Sequence, residues 1–245
     1  MSSPFLSKSK YIKGIQCPKL LWHNYNAKDK LPEVDKRTQA IFDQGHEVGE
    51  LAKKLFPNGI DIEWELSYEE VINQSQKLLK EGKPLFEAGF MFNRTYARVD
   101  VLNPVGKQFD IIEVKMGSSV KEINLHDVAF QRYCYQGAGV PILRCHLMHI
   151  NTDYVKHGEL DLEQLFAKED ITDSLDLYGN GVEDNVQEML SVIALKKCPD
   201  CDIGTHCDDP YECGLKEICW AKVWEHDNNV FTLPYARGRQ WELYK

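Results

Sequence analysis

The segment from residue 98 to residue 115 constrains the fold of this chain more than any other. Residues 98–102 and 111–115 are apolar, strand-like runs, and a turn-rich stretch separates them. A hairpin that is symmetric about the Gly-Lys pair of that stretch places Asp100 directly opposite Glu113. Lys115 then shares a face with Glu113, because side chains alternate along a strand. Opposed carboxylates repel each other unless a cation lies between them, so the hairpin predicts a divalent-metal site beside a lysine.

Composition restricts the class of protein. Of 245 residues, 43% are hydrophobic and 27% are charged, which is typical of a soluble globular protein. No apolar run has the length of a membrane span, and the N-terminal residues do not resemble a signal peptide, so we expect a cytoplasmic protein. The net charge of −9 argues mildly against a nucleic-acid partner but does not exclude one. The lysine excess of the N-terminal third, from Lys8 onward, fits a solvated face as well as it fits a binding surface.

The hydrophobic pattern predicts a mixed sheet flanked by helices. Ser67 and Glu70 form a potential capping box at the start of one helix. The predicted order is a helix at 35–56, a helix ending at 82, strands at 85–91, 95–103 and 108–116, a helix at 124–137, a strand at 140–150, a short helix near 160–166, and a helix around 182–193. This order indicates an α/β or α+β core.

Two residues of the helix predicted after Lys115 extend the hairpin site. Gln131 and Tyr135 are four residues apart and therefore lie on one helical face. Their functional interpretation is that Gln131 orients Lys115 or a phosphate and that Tyr135 contacts the DNA backbone or a base. The alternative is an ordinary polar–aromatic pair on a half-buried helix.

This set of residues resembles a known signature. Asp100, Glu113-Val114-Lys115 and Gln131-x-x-x-Tyr135 are similar to the D…E-x-K…Q-x-x-x-Y pattern of RecB-like nucleases in the PD-(D/E)XK superfamily. The resemblance implies the restriction-endonuclease-like fold and a hydrolase of DNA that depends on Mg²⁺ or Mn²⁺. Asp100, Glu113 and the carbonyl of Val114 would be metal ligands, and Lys115 would be the catalytic lysine. Gln131 and Tyr135 would position the lysine and the DNA strand.

Further ligands are expected from the first helix. Relatives often supply a histidine or glutamate there, and this chain has Gly49 where they often have histidine. His46 or Glu47 could substitute, although on an amphipathic helix both residue types more often simply face solvent. Glu87, in a predicted strand, is another candidate outer ligand, because an unpaired glutamate is unfavourable inside a strand.

Cysteines form the second group of candidate metal ligands. Cys134 and Cys145 lie in apolar segments and are expected to be core thiols. The other six cysteines lie near the two chain ends: Cys17, Cys198, Cys201, Cys207, Cys213 and Cys219. The spacing of the last three is too wide for an ordinary zinc ribbon, whereas four thiolates can hold a 4Fe–4S cluster. One early and three late ligands would clasp the chain ends together.

The cysteine pattern also resembles a known group. One early and three late cysteines are typical of iron–sulfur RecB-like nucleases, including CRISPR-associated RecB-like exonucleases. We expect Cys17, Cys207, Cys213 and Cys219 as cluster ligands, because the residues that flank the late cysteines resemble those of a related group of bacterial proteins of unknown function. Cys198 and Cys201 remain alternative ligands, because Cys198-x2-Cys201-x5-Cys207 has the C-x2-C-x5-C spacing that is usual in these iron–sulfur nucleases, from which Cys207, Cys213 and Cys219 depart. Zn²⁺ remains the alternative cofactor. We therefore expect one RecB-like domain over 1–245, in which 1–30 and 196–225 bind the cluster and a cysteine-rich C-terminal loop region closes on the N-terminus.

The expected function is end processing of DNA. The resemblance implies a divalent-metal-dependent deoxyribonuclease, with exonuclease activity on single-stranded or frayed DNA, in DNA repair or CRISPR adaptation. The alternative is a non-catalytic module that binds DNA ends or a protein and is stabilised by its cluster. Expected partners are DNA and a nuclease, helicase or CRISPR-adaptation protein. A similar group of bacterial proteins carries a second, exonuclease-like half, which another chain could supply here.

Overall fold

The computed structural model describes residues 4–236 and 238–244. The chain divides into two compact units. Unit 1 is bounded as Met1–Tyr11 and Val34–Gln187, and unit 2 as Ile12–Glu33 and Glu188–Lys245. The expected domain, 1–245, and the expected cluster-binding segment, 1–30, both begin with residues 1–3, which lie outside the described residues.

The described residues form helices from near the N-terminus to near the C-terminus, with strands between many of them. They are α1 (Lys8–Gln16), α2 (Pro18–Asn26), α3 (Lys36–Lys53), α4 (Tyr68–Leu78), α5 (Glu122–Gly137), α6 (Leu162–Leu165), α7 (Thr172–Asp176), α8 (Gly179–Ala194), α9 (Lys216–Cys219), α10 (Ala221–Trp224) and α11 (Gln240–Tyr244). Among them, none combines the length and the apolar character needed to cross a lipid bilayer.

The strands of the described residues all lie in unit 1. They are β1 (Leu6–Ser7), β2 (Ile60–Asp61), β3 (Leu85–Phe86), β4 (Gly89–Phe92), β5 (Thr95–Arg98), β6 (Val101–Val105), β7 (Gln108–Lys115), β8 (Ile142–Ile150) and β9 (Phe166–Asp170). A six-stranded sheet has the order β2-β3-β6-β7-β8-β9, and a three-stranded sheet has the order β1-β5-β4. The large sheet mixes parallel and antiparallel pairs, so the predicted fold class is confirmed.

The hairpin β6–β7 has the predicted register. Val101 pairs with Ile112, and Val105 pairs with Gln108. Continued by one residue, this register places Asp100 opposite Glu113. Helix α3 packs on one face of the sheet, against the side chains of Val101 and Ile112. Helix α5 connects β7 to the parallel strand β8, which is the usual crossover in a sheet of this kind. Glu113 lies one position beyond Ile112 and therefore points to the face opposite α3.

Two strands that we predicted as continuous are broken, and this prediction was wrong. The run at 85–91 ends as β3, turns at Glu87, which has φ +58°, and resumes as β4 in the other sheet. The run at 95–103 likewise divides into β5 and β6. The backbone N–H of Glu87 donates to the Asp100 carbonyl oxygen across this switch. Both of these segments therefore pass from one sheet to the other close to Asp100.

Other predicted elements are present with shifted limits. The capping box forms as expected, with reciprocal bonds between Ser67 and Glu70 at the start of α4. The short helix predicted near 160–166 ends at Leu165, and the chain continues as β9, an edge strand that the sequence analysis missed. Helices α1 and α2 were also not predicted.

Unit 2 joins an early segment of the chain to a late one. Gln16 donates from Nε2 to the carbonyl oxygens of His206 (2.8 Å) and Tyr211 (2.7 Å). The ring of Trp220 packs against those of Phe231 and Trp241, and Trp220 shares a buried cluster with Cys17. The cysteine-rich C-terminal region therefore closes on the N-terminal segment, as predicted.

Candidate active site

Two carboxylates meet at the end of the β6–β7 hairpin. Asp100 lies one residue before β6, at the register position opposite Glu113. The backbone N–H of Val114 donates to Oδ2 of Asp100 at 2.6 Å, which fixes this carboxylate against β7. Glu113 is buried, with 1% of its surface exposed. The hairpin therefore holds two negative groups at the edge of the core, which is costly without a positive neighbour.

Lys115 supplies one such positive group. Its Nζ donates to Oε1 of Glu113 at 2.6 Å and to Oδ2 of Asp127 at 2.7 Å. Asp127 comes from α5 and is itself buried. The lysine thus bridges the strand that precedes α5 and the helix.

Gln131 lies one helical turn after Asp127 and links the same two carboxylates. Its Nε2 donates to Oε2 of Glu113 at 2.8 Å and to Oδ1 of Asp127 at 3.0 Å. Its Oε1 is buried and has no hydrogen-bond partner among the described residues. Gln131 does not contact Lys115 directly, but the two side chains share both carboxylate partners.

Lys8 brings a second ammonium group to this cluster. It begins α1, and its Nζ lies 2.8 Å from the Glu113 oxygen that Lys115 also contacts and 3.9 Å from Oδ1 of Asp127. Its side chain is 27% exposed. The interpretation of Lys8 as part of a solvated face is therefore wrong, because it is paired with a buried carboxylate.

The surroundings shift the pKa values of these groups in opposite directions. Removal from water and the charge of Glu113 raise the pKa of Asp100 to about 6. Burial also acts to raise the pKa of Asp127, but the charges of Lys115 and Lys8 outweigh it and hold that pKa below its usual range. Asp127 is thus stabilised as an anion by the two lysines. The negative charge of Asp100 is offset less completely by its surroundings.

Tyr135 is placed differently from our interpretation. It is fully buried, its hydroxyl donates to the carbonyl oxygen of Ala88, and it accepts from the backbone N–H of Val99 at 3.1 Å. A DNA strand cannot reach a side chain with no exposed surface. Tyr135 instead holds the backbone next to Asp100, at the point where the chain changes sheets.

The other candidate ligands have separate surroundings. His46 and Glu47 are exposed on α3, and the contacts of the described residues join neither side chain to the carboxylates. Glu87 is ion-paired with Arg98 at 3.5 Å. Burial and the charge of Asp100 raise the pKa of Glu87 to about 7, against the opposing effect of Arg98.

Unit 2 contains the second candidate site, a small cavity lined by thiols. Five of the six terminal cysteines line it, together with His206: Cys17, Cys201, Cys207, Cys213 and Cys219. Sγ of Cys17 lies 3.7 Å from Sγ of Cys201, which lies 3.9 Å from Nε2 of His206. The ligand atoms of Cys17, Cys201 and His206 are all within 4.8 Å of one another.

The remaining thiol, Cys198, does not belong to the lining of this cavity. Its Sγ lies 3.7 Å from Nδ1 of His23. Burial and neighbouring thiols raise the pKa of Cys201 to about 12, and burial raises that of Cys213 to about 11. A metal that binds here as a thiolate complex must therefore displace protons.

Three of the residues brought together here were missed in the sequence. Asp127 could have been found, since Asp127, Gln131 and Tyr135 recur every four residues on one face of α5. Lys8 and His206 carried no such signal, because each reaches its site through contacts distant in sequence.

The comparisons with known proteins find matches among solved structures. No family model and no curated protein matches the chain. Among solved structures, the crystal structure of SSO0001 is similar, with a TM-score of 0.45 and 13% identity over 91% of this chain and 88% of the other. An alkaline exonuclease from Laribacter hongkongensis has a TM-score of 0.43 and 12% identity, over 77% of this chain and 87% of the other.

Proposed function

We propose that this protein is a divalent-metal-dependent nuclease that hydrolyses phosphodiester bonds of DNA. One observation carries the proposal: the hairpin register, continued by one residue, places Asp100 opposite Glu113, the carboxylate of Asp100 accepts from the N–H of Val114, and Lys115 contacts Glu113. Opposed carboxylates beside a lysine are the groups needed to hold a metal ion against a phosphodiester.

The residues fit Mg²⁺ or Mn²⁺, because hard cations take carboxylate oxygens. Asp100 and Glu113 would hold the ion, and the carbonyl oxygen of Val114 is the third donor that the family resemblance implies. When bound, the metal supplies a Lewis acid and an activated water.

Lys115 acts on the substrate, and two residues of helix α5 hold Lys115 in position. Lys115 is held by two carboxylates, which leaves its charge in a fixed position where it stabilises negative charge on the scissile phosphate and orients the attacking water. Gln131 fixes Glu113 and Asp127 through one amide group, so that the lysine keeps both partners. Asp127 and Gln131 are therefore positioning residues for Lys115.

For unit 2 we propose a 4Fe–4S cluster held by Cys17, Cys207, Cys213 and Cys219. Support comes from the cavity that all four line and from the preference of iron–sulfur clusters for thiolates. Zn²⁺ is the second candidate, and one distance favours it. Cys17 and Cys201 are 3.7 Å apart, close to the roughly 3.8 Å edge that a tetrahedron with Zn–S bonds of 2.3 Å requires.

The proposal is tested by cleavage of end-labelled single-stranded DNA. Protein purified without oxygen is incubated with Mn²⁺, beside Asp100→Ala and a matched control, Asp43→Ala, which removes an exposed carboxylate on α3. We expect the wild type and Asp43→Ala to cut and Asp100→Ala to be inactive. Equal cleavage by all three would assign the activity to a contaminant.

The same assay decides the alternative function. If a folded wild type with its metals bound binds DNA ends but never cuts them, the protein is a binding module rather than a nuclease. Iron, zinc and acid-labile sulfide are measured on the same preparation, and equal amounts of iron and sulfide indicate the cluster.

A further inference from the structure

An exposed tryptophan lies in the loop between β2 and α4. Trp64 has 58% of its surface accessible, although a large aromatic ring is costly to leave in water. The guanidinium carbon of Arg98 lies 4.4 Å from its ring centroid, so a cation supports one face of the indole. The ring of His46 meets it edge-on, at 6.2 Å between centroids. Arg98 therefore covers one face of an indole of which more than half of the residue surface remains accessible.

Arg98 is anchored, so the position of Trp64 is defined. The Arg98 side chain is only 12% exposed. Its Nη2 donates to the carbonyl oxygens of Ile62 (2.9 Å) and Glu63 (3.4 Å), and its Nε donates to that of Glu87 (3.1 Å). One guanidinium thus ties the backbone on the N-terminal side of Trp64 to the point where the chain changes sheets.

This anchoring links Trp64 to the carboxylate cluster. Arg98 ends β5 and precedes Asp100 by two residues. Glu87, the ion-pair partner of Arg98, lies within electrostatic reach of Asp100, Lys8 and Glu113. The loop that carries Trp64 is therefore held beside the cluster through contacts that all belong to unit 1.

We propose that Trp64 is a stacking platform for an unpaired nucleobase of the DNA strand that the site takes. This rests on the proposed function, because it assumes that the ligand is a nucleic acid. A flat exposed indole offers its face to any base, and such stacking tolerates any sequence. Bases within a duplex have both faces covered by neighbouring pairs. The platform therefore selects single-stranded or frayed DNA, and Arg98 is the residue that positions it.

Binding to oligonucleotides with and without bases tests this inference. The protein, with the metal of unit 2 bound, is titrated without added Mn²⁺, by fluorescence anisotropy, against a labelled single-stranded oligonucleotide and against an abasic backbone of equal length and charge. Loss of one stacked base corresponds to about a 5- to 150-fold weaker Kd. We expect Trp64→Ala to lose this much affinity for the oligonucleotide with bases and to bind the abasic backbone as the wild type does.

Two further variants complete the test. Trp64→Phe keeps an aromatic face and recovers part of the affinity. Trp224→Ala is the matched control, because it removes a similarly exposed tryptophan, 49% accessible, from unit 2, and its affinities stay those of the wild type.

The outcomes separate this inference from the proposed function. Equal loss of affinity for both oligonucleotides on Trp64→Ala, no loss for either, or no binding of either by the wild type would each overturn the platform. Cleavage with Mn²⁺ is assayed separately. A base-dependent loss in a protein that never cuts would support the platform and refute the nuclease.

Discussion

Removal of the Tyr135 hydroxyl distinguishes a buried positioning role from contact with DNA. The hydroxyl makes two hydrogen bonds, one to the carbonyl oxygen of Ala88 and one from the N–H of Val99. Val99 N–H also donates directly to Ala88 O, at 3.2 Å. Tyr135→Phe therefore leaves neither backbone group without a partner.

The loss of stability expected for Tyr135→Phe depends on this remaining hydrogen bond between Val99 and Ala88. Each lost hydrogen bond contributes about 0.5–1.5 kcal/mol, so Tyr135→Phe should lower the free energy of unfolding by about 1–3 kcal/mol. If the two backbone groups were left unpaired, the cost would rise by about 1–3 kcal/mol for each. Because Tyr135 has no exposed surface, the Kd for DNA should not change.

Urea unfolding and DNA titration of the same preparation measure both quantities. Tyr133→Phe is the matched control on the same helix, because its hydroxyl accepts only an exposed hydrogen bond, from Asn93, and its loss should cost less than about 0.5 kcal/mol. A tenfold weaker Kd for DNA with unchanged unfolding of Tyr135→Phe would refute the reasoning and restore the DNA contact.

Three further predictions concern the two candidate sites. Lys8→Gln removes one of the two ammonium groups that contact Oε1 of Glu113, so the Mn²⁺ concentration for half-maximal cleavage should fall a few-fold, since such a pair contributes about 1 kcal/mol. Exposed Lys80→Gln should leave this concentration unchanged, and a higher requirement in Lys8→Gln would contradict this role. Asp127→Asn keeps a hydrogen-bond partner for Gln131 but removes one of the two anions that hold Lys115. The single-turnover cleavage rate should therefore fall by about tenfold or more. A rate equal to that of the wild type would show that Asp127 does not position the lysine. Cys213→Ser should lose bound metal, whereas Cys198→Ser should retain it, and elemental analysis that finds the reverse would reject the proposed ligand set.

The hairpin could be predicted because its determinants are local. A turn of defined residues and two apolar runs specify the register, and the register alone places Asp100 opposite Glu113. The capping box of α4 is local in the same sense, since Ser67 and Glu70 are three residues apart.

The sheet switch could not be predicted, because it depends on a rare backbone conformation. Glu87 has φ +58°, and a glutamate carries no signal for the left-handed region that glycine would give. Lys8 is separated from Glu113 by 105 residues, and that contact depends on the pairing of β1 with β5, a two-residue strand that hydrophobic periodicity cannot reveal. The family pattern placed Tyr135 near the site, but its role required knowledge of its burial.

The two units are interleaved along the chain, and this has a consequence for a cut polypeptide. Unit 2 takes residues from before and after the long segment Val34–Gln187, which belongs to unit 1. The exposed loop at 152–160 lies inside that segment, between the paired strands β8 and β9. A protease that cuts this loop leaves each fragment with a part of both units. The nicked protein should therefore migrate as one particle in native buffer and separate into two chains only in denaturant, and new termini placed in this loop should preserve both halves of the thiol-lined cavity.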